Sequence, residues 1–509
     1  MLSIRAARFI MSQLMRYPIG LHVTLNNYKK VVWSSFLLII LACSVVSVSF
    51  GLRSSSAISS TGMISYWPHV DIYVELSNTI GFNNLSLGFQ LSYGSLGSFQ
   101  KHSELRLLAK DAQFKLVRFF DGLTASHMPS MMPCTYFDEA TKTGTYNWTT
   151  VDDVVRKIFE IGAEPLVCLG VVSSSGVKVP PGMAINPQTG LPYPESYASY
   201  CAEWVKHFKA KNWPVRFYEI CNEVWVYFGQ NPVNTTKLGC YMELFRVCRE
   251  AMKKENPDVI VSFDFIHKKP VLDYWLSYNG PDVDSLNFHK YDEWRNPPVK
   301  TEEQIIRDAD KLEVWYSIVE AQQIWYQQRG KRLPMICSES NFNGASPTTD
   351  ERIQQMVGAV WLALLLRTEI LSGVSYHIYF ELSSSYYADA YGFGMINNDG
   401  FKPWYPYYVQ HMIGNNLAIG DSIVYSYSSS DDVRSLAWIH QETLNILLIN
   451  KVDQNRTVHL HGVTGTLNLY KIDNTIPWTT PSVQTDIINS SQPLIMQGYT
   501  VALLQMSAP

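Results

Sequence analysis

Three kinds of signal are missing from this 509-residue chain, and each absence argues against a class of function. The formal net charge is −4 at pH 7, so there is no basic surplus that would favour binding to nucleic acid. The eight cysteines show no spacing of the CxxC type that binds metals. No glycine-rich phosphate loop follows any strand-like run. The sequence therefore implies no metal, no organic cofactor and no nucleic-acid partner, and it leaves the oligomeric state open.

Aromatic residues are plentiful, with 30 Tyr, 22 Phe and 14 Trp making up 13% of the chain. The faces of aromatic rings suit the C–H groups of sugars, although most such residues are ordinary core material. The chain is also long enough for two or more domains. Composition alone thus favours a large globular protein and allows a carbohydrate-binding surface.

Residues 31–52 contain no charge and are long enough to cross a bilayer as a helix. Five basic residues lie before this segment and only Arg53 follows it closely, which predicts that the rest of the chain is translocated. A membrane signal anchor and a cleaved signal peptide both remain possible. We therefore predict an extracellular or cell-surface protein, which would contact the membrane through this segment if it is uncleaved. Five Asn-X-Ser/Thr sequons downstream give mild support.

The rest of the chain divides by pattern. A basic segment (1–30) and the apolar segment (31–52) precede a serine-rich linker (53–65) and one alternating strand (66–80). Residues 81–418 contain eight short apolar runs, most of them separated by helical patterns, which predicts a (β/α)8 barrel. A doubly wound sheet is the competing fold, but the glycine-rich phosphate loop expected of that fold is missing from this sequence. Short alternating strands over 419–509 predict an antiparallel β-sandwich that the strand at 66–80 joins.

Two of the apolar runs end in a glutamate. The run Arg216-Phe-Tyr-Glu-Ile-Cys-Asn-Glu223 and the run Pro334-Met-Ile-Cys-Ser-Glu339 each read as a buried strand with a carboxylate at its carboxyl end. Such a carboxylate is costly unless it is paired or used. In a barrel both would lie at the same face. A pair of carboxylates is what glycoside hydrolysis requires, one to protonate the leaving oxygen and one to attack the sugar or activate water.

Counting the strand ends places other chemically active side chains at the same face of the predicted barrel. Arg118 ends the second strand, Asn222 precedes Glu223, and His289 and Tyr291 lie at the end of the sixth strand. Trp225 and Trp294 follow strands four and six in predicted loops, where they could be sugar platforms or loop anchors. Glu219 is expected to face the same way but deeper, so it is not assigned a catalytic role.

These residues, in this order and at these strand positions, resemble the retaining glycoside hydrolases of clan A. The run from Gly392 to Pro403 is similar to one found before the last helix in several of these families. The similarity covers roughly residues 66–509 and is strongest to families 39 and 51, the β-xylosidases and α-L-arabinofuranosidases. Family 79 β-glucuronidases are more distant. In the eighth strand, where many relatives have tryptophan, this chain has Tyr376, His377 and Tyr379.

The resemblance implies a role for each residue. Glu223 would be the general acid and then the general base, with its pKa raised by burial and by the neighbouring carboxylate. Asn222 would bind the sugar 2-hydroxyl. Glu339 would be the nucleophile, kept ionised and oriented by Arg118 and Tyr291. His289 would position the site or bind a hydroxyl.

The predicted function is retaining hydrolysis of an O-glycosidic bond, on xyloside-, arabinofuranoside- or glucoside-like carbohydrate. Two alternatives stay open. One is a catalytically inactive barrel that only binds carbohydrate, and the other is a transglycosylase that uses the same pair of carboxylates. The sequence leaves the sugar, its linkage and endo or exo action undetermined.

Overall fold

The computed structural model describes most of the chain after residue 66, namely residues 67–123, 131–170, 172–173, 176–229, 232–264, 269–345, 348–384 and 392–508. The predicted basic segment, membrane segment and linker lie outside these residues. No helix within the described residues is long and apolar enough to cross a membrane.

Eight parallel strands form the predicted barrel, and their order around the sheet follows their order in the chain. Hydrogen-bonded registers join each strand to the next from the first to the fifth and from the sixth to the eighth, and the eighth pairs back with the first. A bridge between Asp264 and Asn287 and a bond from Asp284 N–H to Val261 O (3.0 Å) join the fifth strand to the sixth. The barrel strands are Ser86–Leu91, Leu116–Phe120, Glu164–Leu169, Phe217–Ile220, Ile260–Ser262, Leu286–Lys290, Met335–Ser340 and Tyr376–Tyr379.

The barrel strands are short apolar runs because both of their faces are covered, by the barrel interior on one side and by helices on the other. All five residues of Leu116–Phe120 are buried, including Arg118, and so are all six of Met335–Ser340. The helices of this region are Tyr93–Lys101, Ser103–Asp111, Thr149–Glu160, Pro194–Ala210, Trp225–Phe228, Thr235–Glu255, Lys269–Ser277, Glu302–Ala309, Leu312–Arg329, Met356–Ser372 and Tyr405–Gly414, with a 3₁₀ turn at Glu351–Ile353.

A separate nine-stranded sheet carries the predicted sandwich, and His69–Phe82 is one of its strands as expected. Apolar residues from strands far apart in the sheet, such as Ile72 and Leu467, share one core cluster because the sheet curls over itself. One pairing is parallel rather than antiparallel, between His69–Phe82 and Arg456–His461. In spatial order the strands are Gln484–Asn489, Thr466–Ile472, Thr500–Ser507, Thr443–Asn450, Val433–His440, Ser422–Ser428, His69–Phe82, Arg456–His461 and Leu494–Met496.

The fold class predicted from the sequence is therefore confirmed, whereas several local details differ. The fourth strand ends at Ile220, so Asn222 and Glu223 lie beyond it rather than within it. Trp225 begins a short helix instead of lying in a loop. Two sandwich strands at the C-terminal end were not predicted. None of the seven cysteines in the described part of the chain forms a disulfide, although the spacing had left a pairing open.

Candidate active site

Arg118 connects most of the predicted site residues. It lies in the middle of the second barrel strand, Leu116–Phe120, rather than at its end as predicted, and it is fully buried inside the barrel. Its guanidinium donates to Glu219 (2.6 Å), Gln90 (2.8 Å), Glu339 (2.5 Å) and Asn222 (2.7 Å). A planar group with five donors can hold several acceptors in fixed directions, which a lysine cannot do.

Glu219 lies within the fourth barrel strand, four residues before Glu223. Its carboxylate accepts from Arg118 and from the amide of Asn287 (2.6 Å), and it is fully buried. Burial alone would raise the pKa of Glu219, but Arg118, His289 and the Asn287 amide outweigh burial and lower it. Glu219 is therefore an ionised structural partner of Arg118.

Glu339 is held from two sides near the end of the seventh strand. Its Oε1 accepts from Arg118 and its Oε2 accepts from the Tyr291 hydroxyl at 2.9 Å. Burial first, and then the Glu339 charge, raise the pKa of Tyr291 well above its ordinary value, so Tyr291 remains a proton donor. Two donors fix the orientation of the Glu339 carboxylate.

Glu223 is held differently. The backbone is left-handed at Cys221 (φ 70°) and at Glu223 (φ 49°), which turns the chain sharply out of the fourth strand. The Glu223 N–H donates to Asp264 Oδ1 at 2.9 Å. The Glu223 side chain is 24% exposed, against 7% for Glu339. Glu223 thus lies nearer the solvent-facing side of the site, whereas Glu339 is enclosed.

His289 lies between these carboxylates. Its Nδ1 is 3.2 Å from Glu223, 3.5 Å from Glu339 and 3.8 Å from Asp264. Burial works to lower the pKa of His289, but the charges of Glu339, Asp264 and Glu223 outweigh it and raise the pKa to about 9. Burial raises the pKa of Asp264 to about 8, even though His289 opposes the shift. His289 is therefore a cation at neutral pH.

The two predicted catalytic carboxylates come close together. A carboxylate oxygen of Glu223, one of Glu339 and a ring nitrogen of His289 all lie within 4.8 Å of one another. Glu339 has two hydrogen-bonding donors, whereas Glu223 is partly exposed to solvent. The arrangement places two carboxyl groups of different environment on one side of a buried arginine.

The predicted aromatic platforms are less centrally placed. Trp294 is 48% exposed, and its ring centroid lies 4.8 Å from that of Tyr291, so it extends from the site toward solvent. Trp225 is partly buried against the barrel core in the helix that follows Glu223. In the eighth strand, His377 bonds Glu369 (2.7 Å) and Ser340 (2.9 Å) and is fully buried, so it is a satisfied core histidine.

Sequence reasoning missed Asp264, Asn287 and Gln90. Asp264 lies just past the fifth strand, and a count of strand ends could have found it if the run at 259–263 had been extended by one residue. Gln90 and Asn287 are inside strands, where an amide looks like an ordinary polar residue. In the structure Gln90 accepts from Arg118 and the Asn287 amide donates to Glu219, and the sequence pattern shows neither partner.

A parallel (β/α)8 barrel joined to a β-sandwich, with paired acids at the carboxyl ends of strands four and seven, defines the structural class. No family model matches the sequence, and no curated protein matches it either. Solved structures do match, and the first of them belong to the group that the sequence resembles.

Three structural neighbours illustrate the match. A GH39 β-xylosidase from Caulobacter crescentus is 16% identical with a TM-score of 0.59, over 86% of this chain and 100% of that one. An α-L-arabinofuranosidase from Thermotoga maritima is 14% identical with a TM-score of 0.60, over 86% and 100%. A GH30 endoxylanase from Clostridium papyrosolvens is 14% identical with a TM-score of 0.51, over 86% and 100%. The resemblance to clan A glycoside hydrolases is thus confirmed at the level of the fold.

Proposed function

We propose that this protein is a retaining glycoside hydrolase in which Glu223 is the acid and base and Glu339 is the nucleophile. The observation that carries the proposal is the close approach of the two carboxylates, whose oxygens lie within 4.8 Å. Retaining enzymes place their carboxyl groups about 5–5.5 Å apart, whereas inverting enzymes leave about 6.5–9.5 Å for a water molecule. Oxygens no more than 4.8 Å apart fit the retaining arrangement and support a covalent glycosyl intermediate.

The environments of the two residues support this division of roles. A nucleophile must be ionised and fixed, and Arg118 and Tyr291 both donate to Glu339. A general acid must reach the leaving group at the solvent side and exchange its proton, and Glu223 is the more exposed of the pair. Asn222, which Arg118 orients, is the proposed partner of the sugar 2-hydroxyl.

The first substrates to test come from the names of the structural neighbours, which are xylosidases, arabinofuranosidases, a glucosidase and a glucanase-xylanase. We propose a carbohydrate of this kind as substrate, and export to the cell surface or beyond through residues 31–52. A panel of aryl β-xyloside, α-arabinofuranoside, β-glucoside and β-glucuronide would identify the sugar. Binding of oligosaccharide without turnover of any member would instead favour the inactive carbohydrate-binding barrel.

The roles of the two glutamates are tested by rescue chemistry. Glu339→Ala should lower kcat by several orders of magnitude, and added azide should restore turnover and give a glycosyl azide of inverted configuration. Glu223→Ala should spare aryl glycosides with good leaving groups far more than those with poor ones, because only the latter need a proton. Full activity of the Glu339 variant, or equal losses for both kinds of leaving group in the Glu223 variant, would contradict the assignment.

A further inference from the structure

Three amide side chains form a row across neighbouring strands of the nine-stranded sheet. Asn445 lies directly opposite Gln505 on one side, and Asn468 lies opposite Gln505 on the other. Residues that lie opposite each other in an antiparallel sheet share a face. Two residues further along the same face, Leu447 and Leu503 belong to the core that the sheet shares with the barrel. The amide row therefore replaces apolar residues on a face that is otherwise used for packing.

A cleft of about 370 Å³ lies between this row and the segment that follows the helix Tyr405–Gly414. Six of the ten described residues that line the cleft are asparagine or glutamine, and none is Lys, Arg, Asp or Glu. Small-molecule sites have volumes of about 300–1,000 Å³, so the cleft is large enough for a ligand. It differs from the usual apolar pocket in being lined mainly by neutral polar groups.

Some of the amides hold the cleft in shape, and others remain open. Gln505 Nε2 donates to Oδ1 of Asn416 and to Oδ1 of Asn445, at 2.7 Å in both cases. These bonds tie the end of the helix to the sheet. The side chains of Gln441 and Asn468 are exposed and make no hydrogen bond with the residues that the structure describes. Their donors and acceptors are therefore available to a ligand.

The lining determines which chemical class of ligand fits. An anion would need a cationic partner, and a metal ion would need carboxylates. The one ionisable group in the lining is His440, and its Nδ1 already lies 2.9 Å from Asp421 Oδ2. An amide presents a donor and an acceptor side by side, which matches two neighbouring hydroxyl groups. A neutral sugar is thus the ligand that this lining fits best.

A second cavity, of about 560 Å³, adjoins the cleft, because Asn415 and His440 line both. Glu164 and Tyr376 also line it, and each of them begins a barrel strand. The charge of Glu164 is paired with Arg216 at 2.7 Å. The two cavities therefore lie at the amino ends of the barrel strands, whereas the candidate active site lies at the carboxyl ends. Together they provide room for a chain of sugar units remote from that site.

We propose that this amide-lined cleft is a second carbohydrate site, which holds a neutral polysaccharide chain by hydrogen bonds from Gln441, Asn468 and the carbonyl oxygen of the Gln505 side chain. The cleft would keep the protein on a polymer while the active site acts on it. That benefit to catalysis rests on the proposed function, whereas the binding itself does not.

Binding is measured by adsorption of the full chain to insoluble arabinoxylan, arabinan and cellulose. We expect the native protein to bind at least one of these, and the double variant Gln441→Ala/Asn468→Ala to bind it at least about 5-fold more weakly, because two hydrogen-bonding side chains are lost. Both residues are exposed, so the variant should fold. Failure of the native protein to adsorb to any of the three, or equal adsorption by the double variant, would overturn the proposal.

Two controls test whether the effect belongs to the cleft and to neutral sugars. Gln492 is an exposed amide that lies between two strands of the same sheet and outside the cleft. Gln492→Ala should adsorb as the native protein does, and an equal loss in this variant would contradict the cleft assignment. Polygalacturonate is the charged probe. A preference for this polymer over the neutral ones would show that the ligand class is wrong.

Turnover then separates this inference from the proposed function. A small aryl glycoside needs only the active site, so the double variant should keep the native kcat and KM on it and lose activity only toward the insoluble polymer. Adsorption that depends on Gln441 and Asn468 in a protein without glycosidase activity would support the second site and contradict the proposed function. Glycosidase activity together with adsorption that the double variant leaves unchanged would do the reverse.

Discussion

At the scale of single residues, the site depends on how six ionisable groups share a buried volume. Arg118 neutralises Glu219 and orients Glu339, while His289 faces Glu223, Glu339 and Asp264. Removing Arg118 would take the guanidinium away from the buried Glu219 and Glu339 at once, which is far more costly than losing a surface pair. His289 and Asp264 shift each other's pKa values and therefore titrate together rather than singly.

The alkaline stability of the protein should reveal this coupling. His289 has an ordinary pKa of 6.5 that the fold raises to about 9, so its contribution is complete below pH 6.5 and is lost as pH rises through 9. Asp264, whose pKa rises from 3.8 to about 8, acts in the same direction. We expect the free energy of unfolding to fall by several kcal/mol between pH 6 and pH 9.5, of which His289 accounts for about 3 kcal/mol.

Urea unfolding at both pH values measures this fall, and His289→Gln is the comparison. Glutamine cannot hold the proton, so the fall in the variant should be clearly smaller than in the native protein. An equal fall in both proteins would show that other groups cause the alkaline loss.

Much of the site could be predicted from residues alone. Glu339 and His289 were found because parallel strands bring their carboxyl ends to one face, and an apolar run shows where each strand ends. Arg118 was assigned to the site although it lies in the middle of its strand, because a long side chain inside the barrel reaches the same carboxylates. Asp264 was missed because its strand has only three residues, Ile260–Ser262, and gives a weak pattern. The tight turn at Cys221 and Glu223 was also beyond prediction, since neither residue type favours a left-handed backbone.

At the scale of elements, the hydrophobic pattern predicted helices and strands best where they are long. The helix Met356–Ser372 is apolar on all sides because it is covered by neighbouring helices and by strands of the nine-stranded sheet. By contrast, the sequence between the sixth and seventh apolar runs has a single helical pattern over residues 301–329, whereas the structure has two helices there, Glu302–Ala309 and Leu312–Arg329. Asp310 ends the first helix, and its carboxylate bonds Arg434 of the sheet, so a tertiary contact fixes a break that periodicity cannot show.

The packing of the barrel strands can be tested at one glycine. A Cβ at Gly88, in the first strand, would lie 2.2 Å from the backbone oxygen of Leu116 in the second. Gly88→Ala should therefore lower the free energy of unfolding by about 1–3 kcal/mol, because neither strand can move freely. The matched control is Gly81→Ala, also in a strand, where a Cβ would meet nothing within 4 Å.

Denaturant unfolding of the two alanine variants measures the effect. Gly81→Ala should stay within about 0.5 kcal/mol of the native protein. Equal stabilities for the two variants would mean that the first and second strands tolerate more separation than the close approach implies.

At the scale of the whole molecule, the barrel and the nine-stranded sheet are joined by polar contacts as well as by apolar packing. Arg367, on the helix Met356–Ser372, donates to the carbonyl of Ser435 in the sheet at 2.8 Å. The Tyr405 hydroxyl donates to the carbonyl of Asp473 at 2.7 Å. Both side chains belong to helices of the barrel region and reach across to the sheet. Such contacts give the two parts a fixed mutual position, which the sequence pattern could not predict.

Asp310 is the charge at this junction whose loss should matter most. It accepts from Arg434 at 2.7 Å and also from Lys451, and its side chain is only 6% exposed. Arg434 also pairs with Asp431, which is 88% exposed. Asp310→Asn should destabilise the protein by about 3 kcal/mol, because it takes the buried counter-charge from the partly buried Lys451 and leaves Arg434 with only the exposed Asp431. Asp431→Asn removes the other carboxylate that pairs with Arg434. This substitution should destabilise the protein by less than about 1 kcal/mol, since an exposed ion pair contributes little to stability. Thermal unfolding of both variants checks this, and similar melting temperatures would mean that burial does not decide the worth of these ion pairs.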